Sequence, residues 1–382
     1  MKKFALTSLS LALLGAAGAA HAQSSVTLYG VLDDSIQYIN NNAVNGKNQS
    51  SIGLAAGNLH GNRWGMKGTE DLGGGLKAIF QLENGFSPNN GTLGQGGKMF
   101  GRQAFVGLQS DQFGTVTLGR QYDPVVDLVQ AVTADNYWGS TFTTPSDVDN
   151  NDNSSRTNNA IKYTSNTYSG FQFEAMYAFG GVAGSTGAGQ TWSGAATYSN
   201  GPFSLAAGYI RMDNSNTAAA RAAGDPAGWN STSDGTFNSI NVPFASAKSI
   251  GIASVAGQYV IGPVTAGIRY SNAQYKADSL STFASTERYN VGAGFVNYQL
   301  TPAALLGLGY TFTHGSGNGE SASYNQISLG GDYNLSKRTD VYLVGAYQKA
   351  SGTGAVASVA DYDSLSASDS QAIVSLGIRH KF

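Results

Sequence analysis

Alternation of polar and apolar residues recurs in short segments along nearly the whole chain, and it restricts the possible folds more than any other feature. In one such segment Leu76, Phe80 and Leu82 fall on one face of an extended chain, while Lys77 and Gln81 fall on the other. Successive side chains of a β-strand point to opposite faces, so this pattern predicts a strand between two different environments. We therefore expect a mainly antiparallel β protein.

Sixteen strands are predicted, joined by seven short turns and eight long polar loops. All eight prolines fall in these connections, as expected because proline cannot donate to a strand ladder. The chain shows no linker, so residues 23–382 are predicted to form one domain. The predicted strands are Thr27–Asn40, Asn62–Glu70, Leu76–Asn84, Gln103–Gln109, Thr115–Gln121, Ala160–Ser165, Phe171–Phe179, Trp192–Tyr198, Phe203–Met212, Lys248–Val260, Val264–Lys276, Glu287–Gln299, Ala303–Thr313, Tyr324–Asn334, Thr339–Lys349 and Gln371–Phe382.

The two faces of these strands suit lipid on one side and water on the other. Val264 and Ile268 alternate with Thr265 and Ser271, and charged residues make up only 12% of the chain. No apolar stretch after residue 22 reaches the ~20 residues of a membrane helix. A closed barrel is the other structure that satisfies every backbone group in lipid. The sequence thus predicts an all-β, 16-stranded antiparallel transmembrane β-barrel, which encloses an aqueous channel.

The first 22 residues have the three parts of a secretory signal peptide. Lys2 and Lys3 precede the apolar run 4–20, and Ala20-His21-Ala22 provides a small-residue cleavage site. We expect cleavage after Ala22 and export of the chain.

Charge and composition exclude several functions. Without Lys2 and Lys3, 20 basic residues face 24 acidic ones, and a net charge of −4 does not indicate a nucleic-acid partner. The chain has no cysteine, and its four histidines are far apart in sequence. We therefore predict no catalytic residues, no cofactor and no metal site. An outer-membrane barrel enzyme, or an adhesin or receptor acting through long extracellular loops, are the alternatives to a channel.

The segment Tyr122–Asn158 interrupts the strand pattern with an irregular acidic stretch. Structureless segments of this length are usually functional or disordered. As the third long connection, it is predicted to fold inward into the bore of the barrel, with its first aspartates at the constriction and its Asn-rich part returning to the wall. Its only basic residue is Arg156, and its six aspartates are Asp123, Asp127, Asp135, Asp147, Asp149 and Asp152.

Over its mature length the chain resembles the general trimeric porins of Gram-negative outer membranes, most closely the beta-proteobacterial type. The resemblance is carried by Val26–Asp33, Arg63–Gly73, Gly101–Leu108, Leu118–Gln121 and the terminal Phe382. It implies a homotrimer in outer-membrane lipid, an inward third loop, and passage of small hydrophilic solutes and ions. It also implies that Phe382 signals insertion by the barrel-assembly machinery, and that a loop such as Asn214–Ala247 can reach over a neighbouring subunit. Two departures stand out: Val31 occupies a position that is basic in some relatives, and the third loop lacks the Pro-Glu-Phe signature of enterobacterial porins.

The predicted function is passive diffusion through a constriction with weak charge selectivity and a slight anion preference. Strict alternation would turn Arg120 outward, so the inward position that the resemblance implies requires a bulge at Gly119. By parity, Arg63, Lys67, Lys77 and Arg269 face the lumen, as do Lys162, Arg288, Arg379 and Lys381 nearer the strand ends; many of these cations could instead be salt-bridge partners. The residues predicted at the constriction are Arg63, Lys77, Arg120, Asp123, Asp127, Asp135 and Arg269.

Overall fold

The computed structural model describes residues 25–382, apart from 218–220, 222–228, 235–236, 361 and 363. The predicted signal peptide therefore lies outside the described residues. Of the described helices, none is long and apolar enough to cross a membrane. The strands are β1 Ser25–Val44, β2 Lys47–Ala56, β3 Arg63–Gly73, β4 Leu76–Gly85, β5 Gln103–Ser110, β6 Gly114–Gln121, β7 Thr157–Thr164, β8 Phe171–Ala178, β9 Thr191–Asn200, β10 Phe203–Asp213, β11 Ser249–Ile261, β12 Val264–Lys276, β13 Glu287–Thr301, β14 Ala304–Gly317, β15 Glu320–Asn334, β16 Thr339–Gly352 and β17 Ser370–Lys381.

The strands close into a barrel of sixteen antiparallel members, which confirms the predicted fold. From β3 to β17 each strand pairs with the next, and β1 closes the ring by pairing with β17 on one edge and β3 on the other. Closure pairs the sixteen strands with neighbours on both sides, so their backbone groups at membrane depth are satisfied except along one edge of the short strand β2. Adjacent strands are joined by short turns at one end of the barrel and by long loops at the other.

The strand β2 lies where the sequence predicted a polar loop. It folds back on β1 through Asn45 and Gly46, which both have positive φ (52° and 72°) and so form a tight hairpin turn. It pairs with residues 34–44 of β1, on the same side of β1 as β3. The segment 57–62 separates β2 from β3. Among the described residues, the other edge of β2 pairs with no strand. The second barrel position is thus an interrupted strand.

The outer face of the barrel is apolar, as the alternation predicted. Leu108, Ile268, Leu329 and Leu376 are all more than half exposed, and Ile268 reaches 74%. On a soluble protein such a continuous surface would be an aggregation hazard, whereas in a membrane it meets lipid. The described surface is therefore built for a bilayer.

Near the long-loop end the apolar side chains face the inside of the barrel and not the outside, because the loops fill the bore there. Ile250, Tyr275, Tyr289 and Val291 point inward and are buried in one cluster with apolar residues of the third loop. Arg288 therefore faces outward, and its predicted lumenal position was wrong. The prediction from alternation placed polar residues inside along the whole strand, because it took the interior to be filled with water throughout.

The third loop, between β6 and β7, is folded into the bore as predicted, but it is not structureless. It contains a succession of short helical turns, including Val125–Val129 and the α-helical turn Asp135–Trp138. The indole of Trp138 is fully buried against the wall and donates to Asn297 Oδ1 at 2.7 Å. A side chain at Gly307 or Gly330 of the wall would overlap this indole. The glycines thus provide the seat for the loop.

Candidate pore constriction

A cavity of about 450 Å³ lies between the third loop and the wall formed by the start of β3, the end of β4 and the residues before β5. It is our candidate for the constriction, and its lining is rich in charge. The charged and titratable residues that line it are His60, Arg63, Glu83, Arg102, Tyr122, Asp127, Asp135, Asp152 and Arg156.

Glu83 organises the wall side of this cavity. Its carboxylate accepts from Arg102 Nε at 2.8 Å and from the Tyr29 hydroxyl at 2.8 Å, and Arg63 Nε lies 3.7 Å away. Arg63 and Glu83 occur close together because β3 and β4 form a hairpin that pairs Arg63 with Gly85. Arg63 keeps 22% of its side chain exposed, whereas Arg102 keeps 9%. The wall therefore presents two positioned guanidinium groups to the lumen.

Tyr122 lies between two arginines. Its hydroxyl accepts from Arg102 Nη2 at 2.6 Å and from Arg156 Nη2 at 3.1 Å, and both guanidinium groups also lie near its ring. Burial alone would raise the pKa of Tyr122, but the two guanidinium charges outweigh it and hold that pKa below its ordinary value. Arg63, Arg102 and Arg156 thus form a row of cations on one side of the cavity.

Arg120 has the predicted bulge but not the predicted position in the lining. The β6–β7 register shifts between Gly119 and Gln121, and Gly119 has φ 136°, a conformation that glycine tolerates best. Arg120 is only 8% exposed and forms an ion pair with Asp234 of the β10–β11 loop, with Nη1 3.2 Å from Oδ1. It does not line the cavity. Its charge fixes one loop to the wall.

His60 lies in the break between β2 and β3. Its Nδ1 is 2.6 Å from Arg379 Nη1, and its backbone N–H donates to Asp33 Oδ2 at 2.8 Å. Burial, followed by the charge of Arg379, lowers the pKa of His60 well below its ordinary value. His60 is therefore a neutral member of the lining at pH 7.

The loop side of the cavity carries the carboxylates. Asp127 makes a direct ion pair with Lys162 of the wall. Asp135 and Asp152 lie close enough to affect each other's ionisation, and Asp135 Oδ1 accepts no hydrogen bond from the described residues. Burial raises the pKa of Asp135 to about 7 and also raises that of Asp152, so the two carboxyl groups share a proton near neutral pH.

Besides Arg120, three more of the residues predicted at the constriction do not line this cavity. Asp123 is buried at the start of the loop, where it accepts from the backbone N–H of Val125 at 2.8 Å, and burial raises its pKa to about 6. Arg269 is ion-paired with Asp149 beneath the loop, with 4% and 0% of the two side chains exposed. Lys77 lies beside a short turn, 3.5 Å from an Asp111 carboxylate oxygen, because its strand runs away from the loop end. None of the three lines the cavity.

Two further loops hold the third loop in place. The described part of the β10–β11 loop pairs Ser233 with Thr157 at the start of β7. In the β16–β17 loop, the carbonyl of Ala360 accepts from the backbone N–H of Ser146 at 2.9 Å. The described residues of the β10–β11 loop therefore make contacts with their own barrel.

Sequence reasoning missed Arg102 and Arg156, which both line this cavity. Arg102 directly precedes β5, so period-two parity assigned it to no face. Arg156 was noted only as the single cation of an acidic loop. Isolated cations beside a predicted inward loop were the available signal for both. Within the described part of the chain, no cluster of three potential ligands could hold a metal ion.

Comparison with known proteins agrees with this architecture. Residues 5–353 match the family model described as Gram-negative porin. An outer membrane porin protein of Bordetella pertussis is 32% identical over the whole of both chains. Outer membrane porin protein 32 of Delftia acidovorans is 32% identical over 98% of this chain and 99% of its own.

Solved structures give the same result. The anion-selective porin from Comamonas acidovorans superposes with a TM-score of 0.74 at 26% identity, covering 94% of this chain and 100% of the other. The outer membrane protein OmpT of Vibrio cholerae shares the fold at 17% identity, with a TM-score of 0.65 over 94% of this chain and 98% of its own. The chain belongs to the Gram-negative porin family, and it is an outer-membrane general diffusion porin.

Proposed function

We propose that the channel is weakly anion-selective and that the row formed by Arg63, Arg102 and Arg156 sets this preference. Opposed charges at a constriction bias which ions pass. The observation that supports an anion preference is the state of the opposing carboxylates. Asp135 and Asp152 share a proton, so together they offer one negative charge near neutral pH.

The remaining acids of the lining are partly compensated. Asp127 is ion-paired with Lys162, which is not one of the three arginines, whereas Glu83 is ion-paired with Arg102, which is one of them. When Glu83 and one negative charge of the Asp135–Asp152 pair are set against the three guanidinium groups, the lining keeps a small net positive charge, which favours anions. The relative from Comamonas acidovorans is an anion-selective porin, which supports the same direction.

The test is the reversal potential of the purified channel in a planar bilayer under a KCl gradient. Arg102→Gln and Arg156→Gln should each shift the reversal potential towards cation preference without abolishing current. Lys337→Gln, in a short turn remote from the cavity, is the matched control and should leave the value unchanged. Wild-type current without anion preference would refute the selectivity, and no current at all would refute the channel.

We further propose that the protein is a homotrimer whose subunits meet at the β1–β2 side. The unpaired edge of β2 is unsuited to lipid, where an unsatisfied backbone group costs several kcal/mol. Asp34 points outward on β1 between Leu32 and Ile36, and a carboxylate is costly on a lipid-facing surface. A neighbouring subunit would cover both. The structure of Vibrio cholerae OmpT described as a trimer form offers a precedent for this assembly.

Light scattering of the detergent-solubilised protein tests the assembly. We expect three times the chain mass, and Ile52→Asp on the outer face of β2 should lower it. The same substitution at Ile268, on the opposite side of the barrel, is the control for a new charge on the outer surface. A wild-type monomer would contradict the proposal.

Export and insertion complete the proposed function. The segment 1–22 would be removed as a signal peptide, leaving the single barrel domain 23–382. Phe382 pairs with Gly30 through two backbone hydrogen bonds of 3.1 Å and is 42% exposed, where the barrel-assembly machinery could contact it. N-terminal sequencing should find Gln23. Deletion of Phe382 should reduce the amount of folded barrel in outer-membrane fractions, and unchanged amounts would contradict its role.

A further inference from the structure

A row of outward-facing residues near the long-loop end of β10 to β13 is basic. Arg211, Gly251, Gln274 and Arg288 are successive register partners across these four strands, so they lie side by side on the same face. Lys276 lies on the same face of β12, two residues closer to the long-loop end than Gln274. The mature chain is acidic overall, so these three cations form a local exception.

The carboxylates around this row compensate it only in part. Arg211 forms an ion pair with Asp213, at 2.9 Å. Among the described residues, no ion pair is formed by Lys276 or by Arg288, and Arg288 is exposed. We call Arg211, Lys276 and Arg288 the basic rim.

The basic rim lies just outside the boundary of the apolar surface. One row inward, Asn272 Nδ2 donates to Asn290 Oδ1 at 2.8 Å, and the hydroxyl of the half-exposed Tyr270 donates to the same oxygen at 2.9 Å. Tyrosine rings with a polar tip are typical of the membrane–water interface. The basic rim is therefore at the level of lipid headgroups in the leaflet on the long-loop side.

An apolar groove lies beneath the rim on the same strands. Ile268 is flanked by its register partners Gly257 on β11 and Gly294 on β13, so the wall is depressed on both sides of it. The groove has a volume of about 920 Å³, and its outer walls include Leu205 and Tyr310. Its depth comes from missing side chains, because a Cβ at Gly294 would meet only ordinary contacts at 3.7 Å and beyond.

The separation of rim and groove matches one leaflet. The row through Ile268 and the row through Arg288 are six residues apart on every one of the four strands. Six residues span about 20 Å along a strand. At a tilt of about 40°, this becomes roughly 15 Å along the membrane normal, close to half of an apolar band about 25 Å tall plus the headgroup level.

We propose that the outer surface of β10 to β13 is a binding site for a phosphorylated lipid of the outer leaflet. The basic rim holds its phosphates, and the groove around Ile268 takes an acyl chain. Arg211 and Arg288 are three strand spacings apart, about 14 Å, so a headgroup with two phosphates fits better than one with a single phosphate. This surface lies across the barrel from β1 and β2, so the proposed trimer leaves it facing lipid.

The headgroup part is tested by native mass spectrometry of the detergent-purified, full-length porin titrated with diphosphoryl lipid A or its dephosphorylated form. The wild type should prefer the diphosphoryl form. The double substitution Lys276→Gln/Arg288→Gln should weaken that form about 25-fold, or about fivefold per charge, the equivalent of about 1 kcal/mol each. Lys337→Gln/Arg338→Gln at the short-turn end is the charge-matched control and should change nothing.

The acyl-chain part has its own variant. Gly294→Leu fills the groove and should weaken both lipid forms alike, because it removes acyl contacts and leaves the rim intact. Channel conductance should stay at the wild-type value in every variant, which reports a folded barrel and separates this proposal from the proposed selectivity. Equal binding of the two lipid forms by the wild type would overturn the proposal. Displacement of the lipid by millimolar inorganic phosphate would also overturn it, by indicating an ordinary anion site.

Discussion

Trp138 provides a direct test of how the constriction is held. Its indole is fully buried between the loop and the wall, stacks on Phe142 at a centroid distance of 5.5 Å and donates to Asn297 at 2.7 Å. Trp138→Ala would remove this packing at a cost of about 3–5 kcal/mol for a buried tryptophan. It would also leave Asn297, which is 1% exposed, without its donor.

This cost falls on the loop and not on the barrel ladder. A loss of about 3–5 kcal/mol multiplies the population of detached loop by roughly 150- to 4,000-fold, because every 1.4 kcal/mol is a factor of ten. The constriction should then widen. We expect a higher single-channel conductance, a larger cut-off for polymers that enter the pore, and weaker ion selectivity.

Two further variants separate the indole from general damage. Trp138→Phe keeps most of the buried surface but loses the hydrogen bond, so its conductance should lie between those of the wild type and Trp138→Ala. Gly330→Val acts from the wall and should displace the indole without a change in the loop. If Trp138→Ala and Gly330→Val both keep wild-type conductance and polymer cut-off in folded barrels, the indole does not position the loop.

Three other outcomes follow from the same geometry. Arg269→Met leaves the buried carboxylate of Asp149 unpaired and should destabilise the loop by about 3–5 kcal/mol, seen as a larger polymer cut-off; adding Asp149→Asn should reverse most of this. Raising the pH from about 5.5 to about 8.5 should ionise the Asp135–Asp152 pair, because the pKa of Asp135 is about 7. The added negative charge should move the reversal potential towards cation preference. A reversal potential that does not depend on pH would count against the shared proton. Because the pKa of Asp135 is raised on folding, the same ionisation should lower loop stability as pH rises from about 4 to about 7. Gly119→Ala, at φ 136°, should lower the thermal midpoint, since strained positions of this kind cost about 1–3 kcal/mol; an unchanged midpoint would show that the bulge tolerates a side chain.

The alternation of polar and apolar residues was sufficient to predict the barrel, because lipid requires apolar side chains on the outer face of every strand. The same rule failed where the third loop fills the bore, so Arg288 was expected to face the lumen although it faces outward. The bulge at Gly119 could be anticipated only because strict parity conflicted with a family resemblance. Arg102 and Arg156 were missed for a different reason: they lie just outside strands, where side-chain direction depends on tertiary contacts that a local pattern does not contain.

The ion pair between Arg120 and Asp234 joins a loop at the cell surface to the barrel wall next to the pore. Loops at the outside of a bacterium are where sequence change is normally best tolerated, since they carry little of the fold. Here one such loop contributes a charge that fixes the wall beside the constriction. Substitutions at Asp234 are therefore expected to alter permeability, whereas those in the exposed β8–β9 loop are not. Sequence variation in this surface loop is therefore limited by its contact with the barrel wall.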